Sequence, residues 1–263
     1  MMYLDLKQIA NSLVRVANTY PAELVADQLA DVERIAFHIS LAMGENDPAD
    51  LSVCDLGGGL GLFSVGCKAV GFKRVVLVDD FSDSINSQLG ESALDLHRGQ
   101  GVEVVSLDVV GSGIDGAVDG DFDVVTSFDS MEHWHASPKR LFQQVYDRIT
   151  PGGQFVLGTP NCVNMRKRIT VPMGYGKWSK LEDWYEAERF RGHVREPDVD
   201  DLLYITQDMG LEDCRVFGRN WVGLASLNPV IRLASKISDL PLRIRPTLCS
   251  DIYVVGTKAR GSD

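Results

Sequence analysis

An apolar run through Val53-Cys54 ends in Asp55 and passes into Leu56-Gly57-Gly58-Gly59-Leu60-Gly61. A second run, Val75 to Val78, ends in Asp79, with Asp80 beside it. Glycines let a backbone approach a ligand closely and take dihedrals that a Cβ forbids. An acid closing the second strand of a βαβ unit sits where a ribose diol binds. Together these features suit an adenosine-containing ligand. The spacing is not that of the dinucleotide fingerprint G-x-G-x-x-G, because position 62 is Leu and the third glycine is missing. Asp55 beside the turn would repel a pyrophosphate and attract an ammonium. A ligand with adenosine at one end and an ammonium at the other satisfies both observations. An NAD-linked oxidoreductase is disfavoured by the same glycine spacing, and no Tyr-x-x-x-Lys pair follows the fourth expected strand.

The elements that position this chemistry are read from periodicity. Residues 1–45 look helical, with Leu24, Leu29, Val32, Ile35, Ala36 and Ile39 at helical spacing, and Glu45-Asn46-Asp47-Pro48 breaks the run. From Leu51 strand and helix alternate: strands are expected at 51–56, 74–79, 102–107, 122–127 and 153–159, helices near 61–70, 83–98 and 138–149. Such alternation implies a parallel sheet with right-handed crossovers. Thr150-Pro151-Gly152-Gly153 is expected to be a tight turn. After Pro160 the periodicity stops, and 161–192, rich in Arg, Lys, Trp and Tyr, is read as an inserted lid over the sheet's carboxyl edge. Asp198 is a candidate N-cap for a helix to Met209, which Gly210 ends. Two closing strands are expected near 211–217 and 250–257. Between them 229–245 is amphipathic and basic, read as a solvated face or a recruiter of an acidic acceptor. The fold class is therefore α/β: a Rossmann-like, seven-stranded, mostly parallel sheet with helices on both faces. Residues 1–48 form an N-terminal helical cap, and 49–263 the main domain with its lid.

In the order and spacing of these motifs the chain resembles class I S-adenosylmethionine-dependent methyltransferases of the small-molecule type. The resemblance runs over about Leu51 to Asn161 and rests on Asp55-Leu-Gly-Gly-Gly-Leu-Gly61, Asp79, Ser106-Leu107-Asp108, Phe122 to His133, and Thr150 to Asn161. It implies S-adenosyl-L-methionine as cofactor. Gly57, Gly59 and Gly61 would lie under its methionine portion, and Asp55 would serve its amino group directly or through water. Asp79 would take the ribose hydroxyls, with Asp80 as the alternative. Asp108 would accept from the adenine amino group, and Leu107 or Val109 would offer a backbone amide; Asp108 is also a candidate helix N-cap. Phe128 and Asp129 would stand where the methyl faces the acceptor.

A hydroxyl acceptor needs a base, and histidine suits that work near neutral pH. His133 follows the fourth strand, at the edge where open α/β sheets bind ligands, and is read either as that base or as part of a structural Glu132-His133 pair whose histidine bonds a loop carbonyl. His193, in Arg191-Gly192-His193-Val194-Arg195, resembles pocket segments of related methyltransferases. His38 and His97 are read as helix-surface residues. Tyr175, Trp178 and Trp184, with Asp129 and Arg195, are the substrate-binding candidates. Tyr185 and Phe190 share the lid, and each of its aromatics is also read as packing onto the sheet. Asp129, Glu132, His133 and His135 lack the fixed spacing of a metal motif, so a metal-independent enzyme is expected. The expected activity is methyl transfer to a small polar acceptor, such as a sugar, a nucleotide-linked sugar or another metabolite. Oxygen is placed ahead of nitrogen as the acceptor atom. The alternative is a subunit that binds the cofactor without catalysis.

Composition narrows the partners. Over 263 residues the formal net charge is −11, which repels a phosphate backbone and argues against nucleic acid. No apolar run reaches the roughly 20 residues of a membrane span, and no signal peptide is read at the N-terminus. The five cysteines, Cys54, Cys67, Cys162, Cys214 and Cys249, are widely spaced without a C-x-x-C pair. They read as reduced thiols in a cytoplasmic protein. The oligomeric state is not legible.

Overall fold

The structure is a computed structural model that describes residues 5–81, 89–176, 179–188, 190–224, 226 and 228–261. Its strands are β1 (Ser52–Leu56), β2 (Arg74–Asp79), β3 (Glu103–Ser106), β4 (Phe122–Phe128), β5 (Ile149–Pro160), β6 (Glu212–Arg219) and β7 (Asp251–Thr257). They form one sheet in the order β3-β2-β1-β4-β5-β7-β6. The pairs from β3 to β5 are parallel, and β7 runs antiparallel to both β5 and β6. The helices are α1 (Leu6–Ala17), α2 (Ala22–Met43), α3 (Leu62–Val70), α4 (Leu89–Gly99), α5 (Val109–Ser112), α6 (Lys139–Arg148), α7 (Met165–Thr170), α8 (Leu181–Tyr185), α9 (Val199–Asp208), α10 (Trp221–Leu224) and α11 (Pro229–Arg243).

The apolar runs become central strands because both faces of the sheet are covered. Side chains alternate between two cores. Val53, Val75, Leu77, Val124 and Val156 pack with α1, α2 and α3. Cys54, Val76, Val78, Val125 and Leu157 pack with α6 and α9 on the other face. Residues 6–43 therefore form two helices that complete one of the two cores.

Three expectations are corrected. The Thr150-Pro151-Gly152-Gly153 turn lies within β5: Phe122 pairs with Ile149 and Val124 with Gln154, so the extra residues bulge from the ladder, with Gly152 at φ 82. On α11 the polar residue faces inward: Asp239 is buried, pairs with Arg243 and accepts from Asn220 Nδ2 at 3.0 Å. Val230, Leu233, Ile237 and Leu240 are left exposed, so the solvated side of 229–245 is largely apolar. The lid contains α7 and α8, and three of its described aromatics do not pack the sheet. Tyr175, Trp184 and Tyr185 are exposed. Trp178 lies outside the described residues. Asp198 does cap α9, through a reciprocal pair with Asp201. The cysteines are free, with Cys54, Cys67 and Cys249 buried.

Candidate functional site

The turn after β1 is built by backbone conformation. Gly57 has φ 69, and a Cβ there would lie 1.9 Å from Ser130 Oγ, so this position admits no side chain without displacing the loop after β4. Gly59 has φ 56 and nothing within 4 Å of where its Cβ would be. Its amide is held by Asp79 Oδ2 at 2.9 Å. Turn and strand-end acid thus form one unit, joined across the β1–β2 pair. Burial raises the Asp79 carboxyl above its ordinary value.

Asp55 sits beneath the turn. It is 1% exposed, and its two oxygens accept from Ser64 Oγ and Thr126 Oγ1, each at 2.9 Å. Burial pushes it up to about 7. Its first role in the fold is to brace β1 against α3 and β4. Asp108 is the expected N-cap: Oδ1 caps α5 at Val110 and Gly111, and the residue also lines a cavity with Asp79 and Asp80. The Leu107 amide is already donated to Asp79 O at 2.8 Å, which corrects its candidacy as a ring donor. Val109 opens α5, where amides have no partner inside the helix.

A cavity of about 390 Å3 joins Gly57, Gly59, Asp79 and Asp108 to Asp129 and His133. A neighbouring cavity of about 300 Å3 shares Gly57, Gly59 and Asp129 and adds Gly61, Phe128, Arg34 and His38. A larger one, about 540 Å3, is lined by Trp134, Phe142 and Tyr204 and contains none of the glycines, so the chemistry is not placed there.

At the far end of the first cavity the chain reverses after β4. Asp129 has φ 49, donates its amide to Gly158 O at 2.9 Å, and pairs with Arg34 of α2, which also bonds Asp31 at 2.7 Å. His133 and His193, 60 positions apart, meet edge to face with centroids 4.8 Å apart. His133 Nδ1 lies 2.8 Å from Arg191 O, and His193 Nδ1 lies 2.8 Å from Glu196 Oε1. Burial lowers the His133 value, while the bond to Glu196 raises that of His193. Glu196 also pairs with Lys167 at the root of the lid. Arg195 is exposed and 3.8 Å from Asp201, outside this cluster, and Trp184 lines a separate groove with His193 and Phe190.

His38 and His97 are not surface residues. His38 is 1% exposed, stacks on Phe128 at 4.1 Å and 8°, and lies 3.0 Å from Tyr253 Oη. Tyr253 Oη also accepts from Trp221 Nε1 at 2.9 Å. His97 is fully buried, with Nε2 3.3 Å from Gly61 O, where Tyr20 Oη also bonds at 3.0 Å. Arg34 and these supports were missed by sequence reasoning, and Glu132 was named only in a group set aside for lacking the spacing of a metal motif. The stripe Asp31-Arg34-His38, at helical i, i+3 and i+7 spacing, was the available signal.

The profile of a family described as "Methyltransferase domain" matches residues 29–216. No curated protein matches the sequence. Among solved structures, a SAM-dependent methyltransferase from Archaeoglobus fulgidus is 18% identical, with 86% of this chain and 91% of that one covered and a TM-score of 0.54. A possible histamine N-methyltransferase from Thermotoga maritima is 16% identical over 95% and 99% of the two chains, TM-score 0.55. A cyclopropane-fatty-acyl-phospholipid synthase-like protein from Lactobacillus casei is 14% identical over 96% and 98%, TM-score 0.59. At these identities the likeness speaks for the fold.

Proposed function

The chain belongs to the methyltransferase-domain family, and from that premise we propose S-adenosylmethionine-dependent methyl transfer to an oxygen of a small polar acceptor. One observation carries the reading: the glycine turn with its Asp79 and the imidazole of His133 line the same cavity. The residues fit the cofactor. Gly59 leaves open a cradle that a Cβ would enter, and Asp79 is already oriented by its amide. When bound, the cofactor supplies a methyl carbon activated by its sulfonium, whose sulfur keeps the electron pair as the new bond forms.

The chain's residues do the rest. Asp79 holds the ribose hydroxyls, with Asp80 beside it. Asp108 Oδ2 and the Val109 amide serve the adenine edge. Phe128, pinned by its stack on His38, walls the methyl-bearing end. Asp129 fixes the turn after β4 through Arg34. His133, kept neutral by burial and oriented by Arg191 O, takes the proton of an acceptor hydroxyl. His193 stands beside it, held by Glu196. Trp184 and Tyr175 offer exposed faces for the acceptor body. A nitrogen acceptor is the second reading, favoured by Glu132 and Asp129 next to the imidazoles, which suit a cationic amine.

Calorimetric titration with S-adenosylmethionine, S-adenosylhomocysteine and NAD tests the premise. Binding of the two sulfur ligands and not NAD is expected. Failure of both to bind would overturn the reading. A panel of hydroxyl and amine acceptors then separates the two acceptor atoms.

A further inference from the structure

We propose that Glu132, His133 and His193 form a binding site for one divalent transition cation, of the zinc or manganese kind, at the acceptor end of the cavity. The proposed use of that ion rests on the methyl-transfer reading; its binding does not.

The first support is Glu132 itself. It is 1% exposed, and neither carboxylate oxygen accepts a hydrogen bond from another of the described residues. A buried carboxylate without a partner is costly, and such groups in native folds call for an explanation. The residue is not loosely placed: its carbonyl accepts from the amides of Val194 and Arg195 at 2.7 and 3.2 Å. These bonds clamp the segment carrying His193 onto the turn carrying His133.

The second support is the state of the imidazoles. Each has its Nδ1 engaged at 2.8 Å, by Arg191 O in one case and Glu196 Oε1 in the other. Both anchors accept a hydrogen, so the lone pair of each neutral ring lies on Nε2. Metal-bound histidines are oriented in this way, with the other ring nitrogen donating to a carbonyl or carboxylate.

The third support is distance. One ligand atom from each of the three residues lies within 4.8 Å of the others. Around an ion with bonds of about 2.1 Å, ligand atoms sit about 3.4 Å apart in a tetrahedron, so shifts of under about 1 Å per side chain close the site. Two nitrogens and an oxygen suit zinc, manganese or iron(II) better than magnesium or calcium. The neighbouring charges are compatible. Asp129 is paired with Arg34, and Glu196 with Lys167, so Glu132 is the carboxylate left for the cation.

His133 also lines the cavity that holds the glycine turn. Remaining coordination positions would therefore be open to an acceptor oxygen. With the ion bound, His133 is a ligand and no longer the proton acceptor; a coordinated hydroxyl would instead be more acidic, its O–H bond breaking, the proton passing to water and the electron pair staying on oxygen as the nucleophile. The acceptor class is then a hydroxyl compound with a second oxygen placed to chelate.

The test uses untagged, chelator-treated full-length protein titrated with zinc or manganese chloride, with Glu132→Gln and His193→Ala alongside. Expected are one cation bound per chain, a raised melting temperature, and at least a tenfold loss of cation affinity in both variants. S-adenosylmethionine affinity, measured on the same samples, should be unchanged. Cation binding that is absent, or that survives in both variants, overturns the proposal even if S-adenosylmethionine binds. Cation binding without S-adenosylmethionine binding upholds the site and instead overturns the methyl-transfer reading. If both variants fail to fold, cobalt(II) added to the wild type decides. Ligand-field bands of nitrogen-bound cobalt support the site, and the spectrum of the hydrated ion overturns it.

Discussion

Asp79 and Gly59 show how a single contact makes a site. The carboxylate accepts from the turn's amide, so removing it loosens the cradle as well as the proposed ribose contact. A charged hydrogen bond is worth about 1.5–3 kcal/mol, so Asp79→Ala should weaken S-adenosylmethionine binding by roughly ten- to a hundredfold in calorimetry, and Asp80→Ala by much less. A reversed order would move the ribose contact to Asp80. Gly57→Ala meets both a positive φ and a Cβ 1.9 Å from Ser130 Oγ, so it should lower stability and cofactor affinity together. Glu132 supplies a pH signature. In cation-free protein, burial pushes it up to about 8. The stability owed to its protonated form is full below the ordinary glutamate range and is lost as pH rises through about 8. Glu132→Gln cannot ionise. In urea unfolding its stability should match the wild type near acid pH and exceed it above pH 8. Between those limits the gap should widen by up to about 1.4 kcal/mol per pH unit. Asp55, pushed up to about 7, keeps part of the slope in the variant.

At the scale of elements, caps and exposed faces make opposite predictions. The reciprocal cap of Asp198 and Asp201 holds the start of α9 just after the segment that carries His193. Asp198→Ala should cost about 1 kcal/mol and lower the melting temperature by roughly 2–4 °C. Trp184, on α8, is 57% exposed. Trp184→Ala should leave the melting temperature unchanged within error and, if the lid receives the acceptor, raise KM with little change in kcat. A large loss of stability would instead restore a packing role for this aromatic.

The whole molecule is bound together by the two faces of its sheet. Ile9, Leu13, Ile35 and Ile39 of α1 and α2 share a core with Val53, Leu77 and Val124 of the sheet. Gly66 of α3 would place a Cβ 2.3 Å from Leu13 Cδ2, so α1 packs directly on α3. Arg34 carries the connection to Asp129 in the site. The N-terminal helices are thus expected to be needed for folding. A chain lacking residues 1–48 should show no cooperative thermal transition, whereas a self-sufficient remainder would melt cooperatively and bind S-adenosylmethionine.

What could be read in the sequence depended on interactions between near neighbours. Strand runs such as Val75 to Val78, the glycine turn, the strand-end acids and the cap at Asp198 are short patterns whose physics is local. They were enough to determine the strand and helix order, the mostly parallel sheet and the residues around the turn. Burial and long-range adjacency had no such local sign. His38 and His97 look like ordinary polar helix positions until Phe128, Tyr253 and Gly61 close over them. The inward Asp239 of α11 is likewise decided by Asn220, 19 positions away. The group of Glu132, His133 and His193 had no helical spacing to mark it, because its third member arrives from beyond the lid. The sequence alone determined what the strands present at their ends. Only the tertiary structure decided which side chains meet there, since chain-distant contacts follow from packing the two faces of the sheet.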